Sequence, residues 1–215
     1  MQKELRKRLT WPLILIIVIL AIDQIIKIWV KLHLSLGDEI DLIGSWCKIH
    51  FIENEGMAFG MAFGGDIGKF CLTLFRIIAS VIIFWYLLKM IKQNENKISI
   101  YSMSLIFAGA SGNIFDSLFY GLIFSASTPW NVATAFQGGY APFFHGKVVD
   151  MFYFPLIDTT WPGWMPFVGG ENFSFFNAIF NFADASISIG VVMLIIALSI
   201  KNRKATNLAK ETIEK

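Results

Sequence analysis

Four apolar stretches, at roughly 11–30, 67–91, 98–124 and 173–200, limit what this chain can become. At about 1.5 Å of rise per residue, each is long enough as a helix to cross about 30 Å of hydrocarbon. Composition agrees: 55% of the 215 residues are hydrophobic and 16% are charged, with mean hydropathy +0.59. A soluble domain carries about 25% charged residues. The chain therefore reads as one integral membrane domain, 1–215, built on a bundle of four spanning helices.

The net charge of +2 is uninformative, but its distribution is not. Lys3, Arg6, Lys7 and Arg8 precede the first span, and Lys89, Lys92 and Lys97 cluster between the second and third. Lys201, Arg203, Lys204, Lys210 and Lys215 follow the fourth. Lys31, Lys48, Lys69 and Lys147 are spread thinly over the other two connections. Positive residues favour the cytoplasmic side, so both termini are expected there. These clusters are topology signals, and nucleic acid is not an expected partner. The first span is too long for a signal peptide, lacks a small-x-small cleavage site and contains Asp23 and Lys27, so it reads as retained.

Between the first two spans, the segment 33–66 alternates apolar and polar residues over Glu39–Ile43 and again around Lys48 to Ile52. That pattern predicts a small extracytoplasmic β-sheet. The second outer segment, 125–172, is a long loop rich in Gly, Pro and aromatics, including Trp130, Phe143, Phe144, Trp161 and Trp164. Aromatics favour the bilayer interface. Cys47 and Cys71 show no metal or redox spacing, and His33, His50 and His145 are scattered. No metal or other cofactor is expected.

The acids are the chemical signal. A carboxylate in hydrocarbon is costly, so Asp23, Asp116, Asp150 and Asp184 each need a reason to be there. Helical rise puts Asp23 about 18 Å along its span and Asn113 and Asp116 about 22 to 27 Å along theirs. Asn181 and Asp184 fall about 12 to 16 Å below the outer start of the fourth, and Asp150 comes from the outer loop. Polar groups thus converge on one layer near the outer interface. Asn113 and Asp116 share a helix face, as do Asn181 and Asp184. Asp23 and Lys27, at i and i+4, read as a structural pair with Lys27 reaching outward. Gly109-Ala110-Ser111-Gly112 leaves room for a second helix to approach. Acids in helices also suit a small proton-coupled transporter or channel, but no acidic relay continues inward and no inverted repeat is visible.

Five motifs in order resemble the lipoprotein signal peptidases (signal peptidase II), the aspartyl proteases of the bacterial inner membrane. They are Asp23-Gln-Ile-Ile-Lys27, Asn54-Glu-Gly56-Met-Ala-Phe-Gly60, Gly112-Asn113-Ile-Phe-Asp116, Val148-Val149-Asp150 and Phe180-Asn181-Phe-Ala-Asp184. The resemblance implies that Asp150 and Asp184 are the catalytic pair. It makes Asp23, Lys27, Asn54, Gly56, Asn113, Asp116 and Asn181 supporting or substrate-binding residues. It also implies diacylglyceryl-modified prolipoproteins as substrates, cut before the lipidated cysteine; a monomer in contact with membrane lipids is expected. There are two departures. Ser117 stands where the family usually has Arg, with Arg76 a candidate substitute cation, and the segment 161–172 lengthens the separation of Asp150 from Asp184.

Overall fold

The computed structural model describes residues 2–56 and 65–213. In order, the elements are α1 (Gln2–His33), β1 (Glu39–Ile43), β2 (Cys47–Asn54), α2 (Gly65–Lys92) and α3 (Lys97–Phe115). A π-helical turn (Asp116–Tyr120) and the short α4 (Gly121–Ile123) continue α3. Then come β3 (Val148–Tyr153), β4 (Ile157–Thr160), β5 (Asn172–Phe175), β6 (Ile179–Phe180) and α5 (Phe182–Ile213). Among the described residues, four helical segments are long and apolar enough to cross a membrane: Arg8–His33, Gly65–Lys92, Lys97–Ile123 and Phe182–Lys204.

The first three spans lie close to their expected bounds; the fourth does not. It begins at Phe182 rather than near residue 173, because Asn172–Phe175 pairs with Ile157–Thr160 as an antiparallel hairpin. Phe173 to Phe180 is apolar on average, yet Ser174 and Asn177 interrupt it, and its aromatics suit strands as well as helices. Asp184 therefore sits in the first turn of α5 rather than well below its start.

The chain divides into two compact units. One is helical: Met1–Gln24, Cys71–Phe115 and Phe182–Lys215. Its core gathers Ile16, Leu87, Met90, Ile91, Ile100, Met103 and Ala108. Small residues let α3 and α5 touch. A side chain at Gly109 would run into the Ala183 carbonyl, and one at Gly190 would come within 2.7 Å of the Ser102 carbonyl. Ser186 adds a hydrogen bond from its hydroxyl to the Leu105 carbonyl at 3.0 Å. The outward positions Phe75, Ile78, Val81, Ile82 and Trp85 on α2, and Ile189, Val192, Ile195 and Ile196 on α5, are exposed and apolar. Hydrocarbon contact accounts for such a surface.

The other unit comprises Ile25–Phe70 and Asp116–Asn181. Its antiparallel sheet runs β1-β2-β3-β6, so strands from beyond the third span complete a sheet that begins after the first. Cys47, Ile49 and Phe51 alternate inward along β2, as a half-buried strand should. With Val30, Leu34, Tyr120, Phe124, Val149 and Met151, Ile49 and Phe51 form the core. The segment 161–172 between Asp150 and Asp184 forms the connection of the β4–β5 hairpin. Both cysteines are free thiols.

Candidate active site

Asp23 is where the helical unit starts to look like a site. The first amides of any helix have no partner within it. Asp23 supplies one from outside: its Oδ1 accepts the Ala183 N–H at 2.9 Å, at the start of α5. A carboxylate there also suits the positive end of the helix dipole. Gln24 donates to the other Asp23 oxygen at 3.1 Å and to the Gly112 carbonyl at 3.4 Å. Gly112 must lack a side chain, because a Cβ would lie 2.6 Å from Asp23 Oδ2. This arrangement fixes the turn that carries Asp184, and the Asn113 amide donates to Asp184 Oδ1 at 2.8 Å.

In the sheet unit, Asp150 lies on β3 with 3% exposure. It pairs with Ile52, where the β2–β3 register is irregular between Ile49 and Ile52. Such irregularities re-aim side chains. Both oxygens of Asp150 accept from amides, Asn181 at 2.6 Å on Oδ1 and Asn54 at 3.2 Å on Oδ2. Asn54 is itself held, since its Oδ1 accepts the Gly56 N–H at 2.8 Å. Gly56 turns with φ of 93°, a conformation that favours glycine. Asn54 thus both caps the turn and donates to Asp150. Met57 to Gly60, the rest of that motif, lie outside the described residues.

Asn113 and Asp116 serve different partners. The π-helical turn opens at Asp116, and Asp116 pairs with Lys27 at 2.7 Å, both side chains 0% exposed. Lys27 does not reach outward as its place in the span suggests; a buried acid holds it inside. One turn further along α1, Lys31 is paired with Glu53 and donates to Ser127 Oγ at 3.0 Å. Its ammonium also lies 5.6 Å and 5.0 Å from the ring centres of Phe124 and Tyr140. Burial pushes the Tyr140 phenol upward, and its hydroxyl accepts the Lys147 N–H at 2.6 Å. Ser117 is buried, its carbonyl accepting the Gly146 N–H at 2.9 Å, while Arg76 is half-buried on α2.

Similarity decides what these clusters belong to. A sequence model described as Signal peptidase (SPase) II matches residues 15–200. The chain belongs to the signal peptidase II family. A lipoprotein signal peptidase from Porphyromonas gingivalis is 49% identical over 185 residues, covering 85% of this chain and 80% of its own length. One from Amoebophilus asiaticus is 36% identical over 179 residues, covering 82% of this chain and 72% of its own. A solved bacterial membrane enzyme, determined in meso at 2.3 Å resolution, superposes with TM-score 0.59 at 25% identity, covering 90% of each chain. The protein is thus a bacterial multi-pass membrane peptidase of this family.

Within that signal peptidase II frame, the ion pairs around Glu53 and Glu55 were not anticipated from the motifs. One signal was available: Asp23, Lys27 and Lys31 recur every four residues and share a face of α1. Glu55 contacts Lys69 at 2.6 Å and Lys147 at 3.6 Å. Burial alone would raise its carboxyl, but the hydrogen bond and charge of Lys69, then Lys147, outweigh it and hold the carboxyl below 4.5. A depressed folded value stabilises the protein above the unfolded value and loses that contribution as pH falls through the folded one. Glu55→Gln should therefore flatten the thermal stability profile below about pH 4.5, by less than about 1 kcal/mol because Glu55 is half-exposed. Melting curves from pH 3 to 6 check this.

Proposed function

We propose that this protein removes the signal peptide from prolipoproteins, cutting before a diacylglyceryl-modified cysteine with Asp150 and Asp184 as an aspartic pair. The observation that carries the reading is family membership together with acids dressed alike. Each accepts hydrogen bonds from motif asparagines, Asp150 from Asn54 and Asn181, Asp184 from Asn113. Asn181, a donor to Asp150, precedes Asp184 by three residues, which links the two acids through one short stretch of chain. A transporter reading has nothing comparable behind it.

In the reaction, one aspartate is ionised and takes a proton from the attacking water. The other is protonated and donates to the scissile carbonyl, stabilising the oxyanion as it forms. That proton balance is then restored by delivery to the leaving amine. The asparagine amides orient the carboxylates while adding no charge. The substrate's acyl chains add apolar binding that holds the peptide bond in place. The distribution of Lys and Arg supports cytoplasmic termini and a reaction near the outer face of the inner membrane. The enzyme acts as a monomer in this reading.

The test is a gel-shift assay with purified protein in detergent and one prolipoprotein, prepared with and without its diacylglyceryl group. The lipidated form should shorten by its signal peptide and the unlipidated form should persist. Equal processing of both forms would remove lipid recognition from the proposal, and processing of neither would remove the activity.

A further inference from the structure

A cavity of about 400 Å³ lies in the helical unit between residues 8–12 of α1 and residues 94–101, which include the start of α3, away from the aspartate motifs in sequence. Its lining includes Arg8, Trp11, Glu95, Lys97, Ile100 and Tyr101. Arg8 lies just before the first apolar stretch of the sequence and Lys97 just before the third. Cations at the ends of apolar stretches meet the headgroup layer of a bilayer.

Its charge is positive. Among the described lining residues Glu95 is the one acid, and Lys201 already holds it through both carboxylate oxygens at 3.0 and 2.9 Å. Neither Arg8 nor Lys97 forms an ion pair with another described residue. The start of α3 adds the partial positive charge of a helix N-terminus, although Asn96 already caps the Ile98 amide at 3.1 Å. Trp11, Ile100 and Tyr101 offer apolar and aromatic surface beside the cations, suited to a glycerol backbone and the first methylenes of a chain.

We propose that this cavity holds the headgroup of an anionic phospholipid, with Arg8 and Lys97 on its phosphate. A single surface cation is worth about fivefold in affinity for anionic lipid, and paired cations in a concavity should favour it by tenfold or more. The site is independent of the peptidase chemistry.

Native mass spectrometry of the delipidated protein, titrated with phosphatidylglycerol, phosphatidylcholine and soluble glycerol 3-phosphate, tests it. Phosphatidylglycerol should bind about tenfold more tightly than phosphatidylcholine. The double variant Arg8→Gln/Lys97→Gln should lose that preference, which separates this site from any binding of diacylglycerol lipids elsewhere. An unchanged preference in the variant would overturn the proposal. Equally tight binding of glycerol 3-phosphate would overturn the lipid as the ligand. Photo-activatable phosphatidylglycerol on the wild type gives a second readout that needs no variant. Its crosslinks should fall within residues 8–12 and 94–101, and their absence there would also refute the site.

Discussion

Replacing either Asp150 or Asp184 with Asn is expected to lower the cleavage rate by roughly 10³-fold or more, since acid–base groups each contribute about 10²- to 10⁴-fold. The substitution keeps the size of the side chain and removes its ability to carry a proton. The Asp150 variant should also lose stability. Asp150 accepts on both oxygens, from Asn181 and Asn54. An amide at 150 presents a donor to one of them, and Asn54 cannot turn round without releasing the Gly56 amide. Asn181 must therefore adjust, at a cost of about 1 kcal/mol for a lost hydrogen bond. At Asp184, an amide carbonyl can keep the contact that Oδ1 accepts from Asn113. Single-turnover cleavage of a lipidated prolipoprotein, run beside a melting curve, separates chemistry from folding. A folded variant of either kind that cleaves within tenfold of wild type would defeat the aspartic pair.

Part of the molecule was written plainly in the chain. Hydrophobic runs found three spans nearly to their ends, because a bilayer demands length and apolarity and little else. Alternation found β1 and β2 for the same kind of local reason. The start of α5 was harder. Phe173 to Phe180 satisfies a hydropathy threshold, and only its pairing partners, Ile157–Thr160 for one half and β3 for the other, make it strand. Long-range pairing of that sort leaves no periodic mark of its own. The site shows the same division. Every motif asparagine bonds an aspartate or caps a turn, yet the choice of partner was not legible. Asp23 was expected to be neutralised by Lys27, four residues on. Asp23 accepts an amide at the start of α5, and Lys27 pairs with Asp116, partners that the motif itself does not name. Spacing along one helix identifies shared faces; it cannot identify the acid or amide that another segment brings.

Lys27 and Asp116 carry the other large effect. Each is fully buried, their charged atoms 2.7 Å apart. Removing one partner from such a pair leaves an uncompensated charge out of water, which costs about 3–5 kcal/mol. Lys27→Met should destabilise the protein by that amount. The double variant Lys27→Met/Asp116→Leu should melt much closer to wild type, because two apolar side chains of similar size replace the pair without stranding a charge. Additive losses in the double variant would show that the residues do not act as a pair. Cleavage by the rescued double variant then resolves what Asp116 does. If its role is to hold α1 against the turn after α3, a protein that melts normally keeps its rate within about tenfold. If the carboxylate meets the substrate, the rate collapses in a protein that is otherwise intact. The burial of both side chains, with Asp116 turned onto Lys27, favours the first outcome.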